Sequence, residues 1–381
     1  MEFLAILGRQ PEISILELEM SDFCTDIGRL GGTQKLAVKL EEQPLDFLRK
    51  LPEGKITLGV SDYSEKASRK TASLEALKLK KILVRHGRSV RVVENKDATL
   101  STATSLHNGL SGKNERKVEL IKTDKGWYKV IGVQDIDAYA RRDQARPARD
   151  AKVGMLPPKL AQILINLCGP LPEGATILDP FCGTGVVLQE ALLMGYRAYG
   201  TDLSERMVEY TEKNLEWLIS GKVEKSRFEG LRSAAVRAEA PAARGDGPAG
   251  RGPRNDLFRL SCGDATSFKW ERPIDAVACE GYLGSPMSKA PAEIKLKTEK
   301  QECGSIILGF LRNLGTQIKP GTPVVIAAPA WLRENGTYSR LEILDEIAAM
   351  GYNIHNKTRE GLLYHREEQV VARDIIILRK N

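Results

Sequence analysis

The six cysteines of this 381-residue chain (Cys24, Cys168, Cys182, Cys262, Cys279 and Cys303) are scattered, with no CxxC pair among them. A disulfide framework and a structural zinc site are therefore not expected. The four histidines are equally dispersed, so no metal is expected either. No stretch approaches the ~18 apolar residues that a membrane span needs. The opening segment, MEFLAILGRQPEIS, lacks a basic start and turns polar after Leu7, unlike a secretory signal. A cytoplasmic protein, away from membranes, is the expectation. What is present, 42% hydrophobic and 28% charged residues, suits a globular fold. The length asks for two or three domains.

Net charge is +7, and it is unevenly spread. Residues 76–149 hold 17 Lys or Arg against 8 Asp or Glu, a local excess of nine that outweighs the whole chain's. Clustered positive charge attracts phosphate backbones. A solvated basic face would look the same, so charge alone leaves both readings open.

Apolar runs and turn residues predict strand, helix, strand, helix over residues 1–52, with Ser14 and Glu17 as a capping box for a helix through Met20. A second unit, 53–134, reads as a strand at 56–60, a basic helix around 74–85, a strand at 90–93, a short helix at 102–110 and strands at 117–122 and 127–133. Neither unit holds a cluster suited to catalysis. Residues 135–158, rich in Arg, Asp and Pro, are expected to be a connector, its alternating charges suiting local ion pairs as much as RNA. From 159 to 381 strands (176–178, 198–201, 258–261, 275–279, 323–327, 353–355 and 374–378) alternate with helices, which predicts a doubly wound α/β sheet. The last two strands have no helical pattern between them and are expected to pair as an antiparallel edge hairpin. Seven strands so arranged are the layout of class I methyltransferases. Residues 229–256 hold seven Ala, five Gly, five Arg and three Pro, and are expected to be a disordered insertion.

The strongest motif is Asp179-Pro180-Phe181-Cys182-Gly183-Thr184-Gly185, where an apolar strand runs into a glycine turn and then a helix. Open α/β sheets bind ligands at the carboxyl ends of their strands. Gly183 and Gly185 remove side chains where a ligand must come close to the backbone, and Asp179 can accept hydrogen bonds from a cationic amine. A nicotinamide or flavin dinucleotide also needs a glycine turn, but its third glycine position holds Leu188 here. Asp202 ends the next strand, where a carboxylate takes both ribose hydroxyls. Asp264 follows the third, where it can accept an adenine amino group. A helix N-cap is the plain alternative for each.

The fourth strand runs into Cys279-Glu280-Gly281-Tyr282-Leu283-Gly284. An exocyclic amine is a poor nucleophile because its lone pair is delocalised into the ring. An acceptor for its N–H groups orients that lone pair and stabilises developing charge, while an aromatic ring stacks on the flipped-out base. Glu280 is the candidate acceptor and Tyr282 the platform; a surface turn is the plain alternative.

With the N-terminal LGRQPEISILELE, the linker RRDQARPARDAKVGMLPPKLAQ and the ending YHREEQVVARDIII, these motifs make the chain resemble the THUMP-containing tRNA guanosine N2-methyltransferases that act on position 10 of tRNA. The resemblance implies a Rossmann-like, seven-stranded catalytic domain over 159–381, an α+β ferredoxin-like domain over 1–52, and a THUMP-like domain over 53–134 that grips tRNA. It implies S-adenosylmethionine as cofactor, with Asp179, Gly183 and Gly185 at its methionine part, Asp202 at the ribose and Asp264 at the adenine. Phe181 and Cys279 are also set against the cofactor. It further implies direct displacement without a covalent enzyme intermediate. Some relatives work with a small activating subunit, a candidate partner beside tRNA. The family's common turn is Asp-Pro-Pro-Tyr; aligned on Tyr282, its Asp falls on Cys279 and neither proline is present. Two other classes remain open: a non-catalytic RNA-binding protein that keeps the fold, and a DNA adenine or cytosine amino-methyltransferase.

Overall fold

A computed structural model of the chain describes residues 1–150, 156–220, 257–271, 273–355, 362–366 and 369–381. The predicted insertion at 229–256 lies outside them. The chain divides into two compact units, Met1–Ser14 with Cys24–Ala138, and Ile15–Phe23 with Tyr139–Asn381.

The first unit contains β1 (Phe3–Leu7), the start of α1 (Pro11–Met20), β2 (Thr33–Lys39), α2 (Pro44–Arg49), β3 (Ile56–Asp62), α3 (Arg69–Arg85), β4 (Val90–Val92), α4 (Thr102–His107), β5 (Lys117–Thr123) and β6 (Gly126–Val133). One mixed sheet joins them in the order β1-β2-β6-β5-β3-β4. The stretches 1–52 and 53–134, read from sequence as separate domains, share this sheet, because β2 pairs antiparallel with β6. Two strands alone could not bury a face. Helix α3 buries Ala72, Ala76, Leu79 and Leu83, spaced as one helical face, against Ile56, Leu58 and Val60 of β3. The capping box expected at Ser14 and Glu17 does not form. Pro11 opens α1, with its φ already helical, and Ser14 lies inside, its Oγ donating to the Gln10 carbonyl (2.9 Å). Glu17 is instead buried and accepts from Asn166 Nδ2 at 2.7 Å, within the second unit.

The second unit continues from α5 (Ile136–Gln144) through α6 (Pro158–Asn166), β7 (Thr176–Asp179), α7 (Val186–Leu193), β8 (Arg197–Asp202), α8 (Glu205–Ile219), β9 (Phe258–Cys262), β10 (Ala276–Glu280), α9 (Glu293–Leu314), β11 (Pro323–Leu332), β12 (Tyr338–Arg340), α10 (Leu344–Ala349), β13 (Tyr352–Ile354) and β14 (Leu363–Tyr364) to β15 (Val371–Lys380). Its sheet runs β13-β15-β11-β10-β7-β8-β9. The five strands from β11 to β9 are parallel. As expected, the last long strand turns back: β15 pairs antiparallel with both β13 and β11.

Two short strands were not anticipated, β12 on β11 and β14 on β15. Strand β11 runs on past the predicted 323–327, through Pro329, to Leu332. Its neighbour β10 stops at Glu280, opposite Ala327, and pairing with the antiparallel β12 starts only at Ala330, opposite Arg340. The missing N–H of Pro329 therefore falls in a gap of the ladder. Alternation sends Leu178, Val277, Cys279 and Ile326 into the core under α9. Among the described residues no helix is long and apolar enough to cross a membrane.

Candidate active site

The carboxyl ends of β7, β8, β9 and β10 carry the predicted residues. After Asp179 the chain closes a tight turn in which Gly185 N donates to the Cys182 carbonyl at 2.7 Å. Gly183 and Gly185 stand at φ +52° and +83°, conformations that L side chains resist. Their roles differ. A Cβ on Gly185 would meet Thr211 Cγ2 at 2.8 Å, whereas one on Gly183 would find only the Phe181 carbonyl oxygen, at 3.9 Å. Gly185 thus serves packing, and Gly183 leaves an open side from which a ligand can approach.

The turn is held from below by residues that sequence reasoning missed. Thr211 Oγ1, on α8, donates to the Gly183 carbonyl (2.8 Å). Asn214 Nδ2 donates to the carbonyls of Thr184 and Ala148, each at 2.9 Å. Arg146 Nη1 donates to Thr184 Oγ1 (3.2 Å), and Arg142 grips Glu190 of α7 at 2.7 and 3.2 Å. The expected connector is therefore largely built into the second unit: Arg142 and Arg146 are 2% and 3% exposed. Burial lowers the pKa of Arg146, with Asp143 acting in the opposite direction. Their charge belongs to this scaffold and is not offered to RNA. The regular Arg–Asp alternation carried that signal, since ion pairs were one of its two readings.

Asp179 is 2% exposed. Among the described residues its carboxylate accepts one hydrogen bond, from Phe181 N at 3.1 Å. Burial pushes its pKa well above the ordinary carboxylate range; the Phe181 amide opposes this, and Asp202 and Glu280 add to it. Asp202 is half-buried and braces the turn, its two oxygens accepting from Gly183 N and Ser204 N, both at 2.9 Å. Asp264 is exposed and holds its own turn through Thr266 N and Oγ1, both at 2.8 Å; the residues after it form a turn, not a helix, so the helix N-cap alternative does not form there. Phe181 stands edge-on to Phe310 at 5.4 Å, which fixes its ring on the core. Cys279 points away from these acids. It is fully buried in the core under α9, and burial raises its thiol pKa.

The turn after β10 places Glu280 and Tyr282, the candidate acceptor and platform, in different surroundings. Glu280 pairs with Arg373 of β15, Nε to Oε1 at 2.8 Å. Burial pushes its pKa up and Arg373 pulls it back. Tyr282 is 38% exposed and faces α9, where burial first, then Glu302, Cys303 and Glu299, raise its pKa. Glu299 also anchors the turn, accepting from Ser285 N at 3.0 Å. Gly284, at φ +81°, lies where a Cβ would sit 2.3 Å from that carboxylate. With no proline in the turn, Glu299 supplies the missing rigidity. The sequence signal was an acid inside the apolar stripe Leu296, Glu299, Cys303, Ile307 and Phe310; for Arg373 it was a charge set, with Asp374, just before the apolar run Ile375–Leu378. Among the described residues no group of His, Cys, Asp or Glu is placed to hold a metal ion.

Residues 146–241 match the UPF0020 family, described as RMKL-like, methyltransferase domain. The chain is 50% identical over 76 residues to the tRNA (guanine(10)-N2)-dimethyltransferase of Methanothermobacter thermautotrophicus, covering 19% of this chain and 22% of that protein. It is 28% identical over 185 residues to the protein of the same name from Methanocaldococcus jannaschii, covering 46% of this chain and 52% of that protein. The matched segments thus span between about a fifth and about half of these relatives. The crystal structure of TrmN from Thermus thermophilus aligns over 100% of this chain and 99% of that one, with a TM-score of 0.43 and 16% identity. Strand order gives the C-terminal unit the layout of class I methyltransferases, and residues 146–241 match the methyltransferase-domain family.

Proposed function

We propose that the chain transfers a methyl group from S-adenosylmethionine to the exocyclic N2 amine of a guanosine in tRNA. One observation carries the reading: Asp179 has a single hydrogen bond among the described residues, and burial, with the carboxylates of Asp202 and Glu280, pushes its pKa upward. Such a cluster favours a ligand that brings positive charge. S-adenosylmethionine, with its ammonium and sulfonium, is such a ligand, and when bound it supplies an activated methyl group.

Asp179 accepts from the ammonium, and the open side of Gly183 admits the ligand to the backbone. Asp202 uses the lone pairs left by its two amide bonds for the ribose hydroxyls, and Asp264 offers its second oxygen to the adenine. Glu280 accepts an N–H of the target amine, and the exposed ring of Tyr282 receives the base. In this reading residues 53–134 of the first unit are the THUMP-like grip on tRNA, which fits the excess of cations from Lys78 to Lys129. The names of the archaeal relatives support tRNA over DNA.

The test is incubation of the purified chain with tRNA lacking the modification, with mass spectrometry of the nucleosides. N2-methylguanosine is expected; calorimetry with the cofactor alone separates binding from transfer. No methylated nucleoside and no heat of binding would together end the proposal.

A further inference from the structure

Glu280 is the last residue of β10 and pairs in register with Ala327 of β11, while Arg373 of β15 pairs with Pro329 of the same strand. Ala327 and Pro329 are two residues apart, so all four side chains project from one face of the sheet. Only a methyl group and a proline ring lie between the acid and the base, and the arginine reaches across β11 over them. Its Nε meets Glu280 Oε1 at 2.8 Å, with the two side chains 6% and 15% exposed. Its Nη1 is tied back to Gln369 Oε1 at 3.2 Å and to the Val371 carbonyl at 3.4 Å. The guanidinium is thus fixed at both ends, and Glu280 Oε2 accepts no hydrogen bond among the described residues.

We propose that Arg373 is a positioning residue for methyl transfer: by occupying Oε1 it fixes the Glu280 carboxylate in its charged form and leaves Oε2 as the acceptor for one N–H of the target amine. This rests on the methyl-transfer reading above. The charged groups facing Glu280 decide the case. From β7 comes Asp179, a like charge that feels Glu280. Strand β11 contributes Ala327 and Pro329, which carry none, and β14 places Tyr364 opposite Arg373. Arg373 is the cation whose charge acts on Glu280. Without it, burial acts on the carboxylate unopposed, so the proton is held to higher pH. A protonated Glu280 can still accept a hydrogen bond, but it no longer stabilises the positive charge that grows on the amine.

The experiment compares wild type, Arg373→Gln and Arg373→Lys with two readouts. The first is the pH dependence of kcat and KM for tRNA methylation. The second needs no activity: the titration of Glu280 by carbon NMR in protein carrying carboxyl-labelled glutamate, its signal assigned by its loss in Glu280→Gln. In Arg373→Gln both the acid limb of kcat and the Glu280 titration should move up by about 1–3 pH units. At neutral pH kcat should fall roughly tenfold or more, be regained at higher pH, and leave KM for tRNA little changed. Arg373→Lys should move both readouts less, because it keeps the charge but not the fork. A Glu280 titration that does not move overturns the proposal. If Arg373→Gln does not fold, the lysine variant decides by the same criterion. A wild-type protein that methylates no tRNA would fell the functional reading instead, while the titration still tests the hold of Arg373 on Glu280.

Discussion

Glu119 in the first unit and Asp179 in the second are equally hidden from water, yet their surroundings are opposite. Glu119 is 0% exposed and fully answered. Lys35 Nζ and Ser61 Oγ donate to one oxygen at 2.6 and 2.7 Å, and Ser105 Oγ donates to the other at 2.6 Å. Lys35 spends a further bond on the Leu100 carbonyl (2.7 Å), and Leu100 N closes the ring onto Ser61. Asp179 has one amide donor and two acidic neighbours. A buried charge is tolerated when paired and hydrogen-bonded. The first arrangement is complete and serves the fold. The second is incomplete without a partner, as expected of a binding site, where stability is given up for affinity.

The sharpest way to break this contrast is to remove one partner from each. Lys35→Met leaves Glu119 buried and uncompensated and should cost about 3–5 kcal/mol, read as a lowered denaturation midpoint. An unchanged midpoint would show that the network is not structural. Asp179→Asn should do the reverse. It removes a crowded carboxylate, so stability at neutral pH should hold or rise, while cofactor affinity falls by about 1.5–3 kcal/mol, roughly ten- to a hundredfold in Kd by calorimetry. The pH dependence follows from the direction of the shift. The folded pKa of Asp179 is raised, so its contribution to stability is greatest below the ordinary carboxylate range and is lost as pH rises through the raised value. Cofactor binding needs the ionised form and should strengthen over that same window by up to about tenfold per pH unit. Asp179→Asn should flatten both trends; identical profiles in the two proteins would remove Asp179 from the site.

The sequence shows the same asymmetry. The catalytic sheet was legible almost strand by strand, because parallel strands buried on both faces read as apolar runs and the glycine turn marks where a ligand sits. The acids at the strand tips were legible for the same reason. The partners were not. Arg373 lies 93 residues from Glu280, and only the register of an antiparallel last strand brings them together. Glu299 reaches the catalytic turn because helix α9 turns an acid inward among apolar residues. In the first unit the two predicted domains proved to share one sheet, since pairing between β2 and β6 across some ninety residues leaves no local mark. The capping box at Ser14 misled because Pro11, a better helix start, stood three residues earlier.

The two glycines sharpen the comparison on a smaller scale. Gly185→Ala meets both a left-handed backbone and Thr211, and should destabilise the catalytic unit by about 1–2 kcal/mol or more. Gly183→Ala faces open space, so its stability cost should be the lesser of the two while its loss of cofactor affinity is the greater. The opposite ranking, by thermal melts and calorimetry, would exchange their roles.

The smallest effect should come from Cys279, which the resemblance set against the cofactor and which the structure turns into the core under α9. Cys279→Ala removes one sulfur among Val277, Ile326, Ile307 and their neighbours. A large-to-small change of this size leaves a minor cavity and should cost about 1 kcal/mol. Cofactor Kd should stay within error of wild type, because alternation along β10 puts Glu280, not Cys279, on the face shared with Asp179. A clear loss of affinity with unchanged stability would mean that the thiol side of the strand, and not the carboxylate side, looks onto the ligand. The assignment of Glu280 as acceptor and of Arg373 as its support would then both have to be given up.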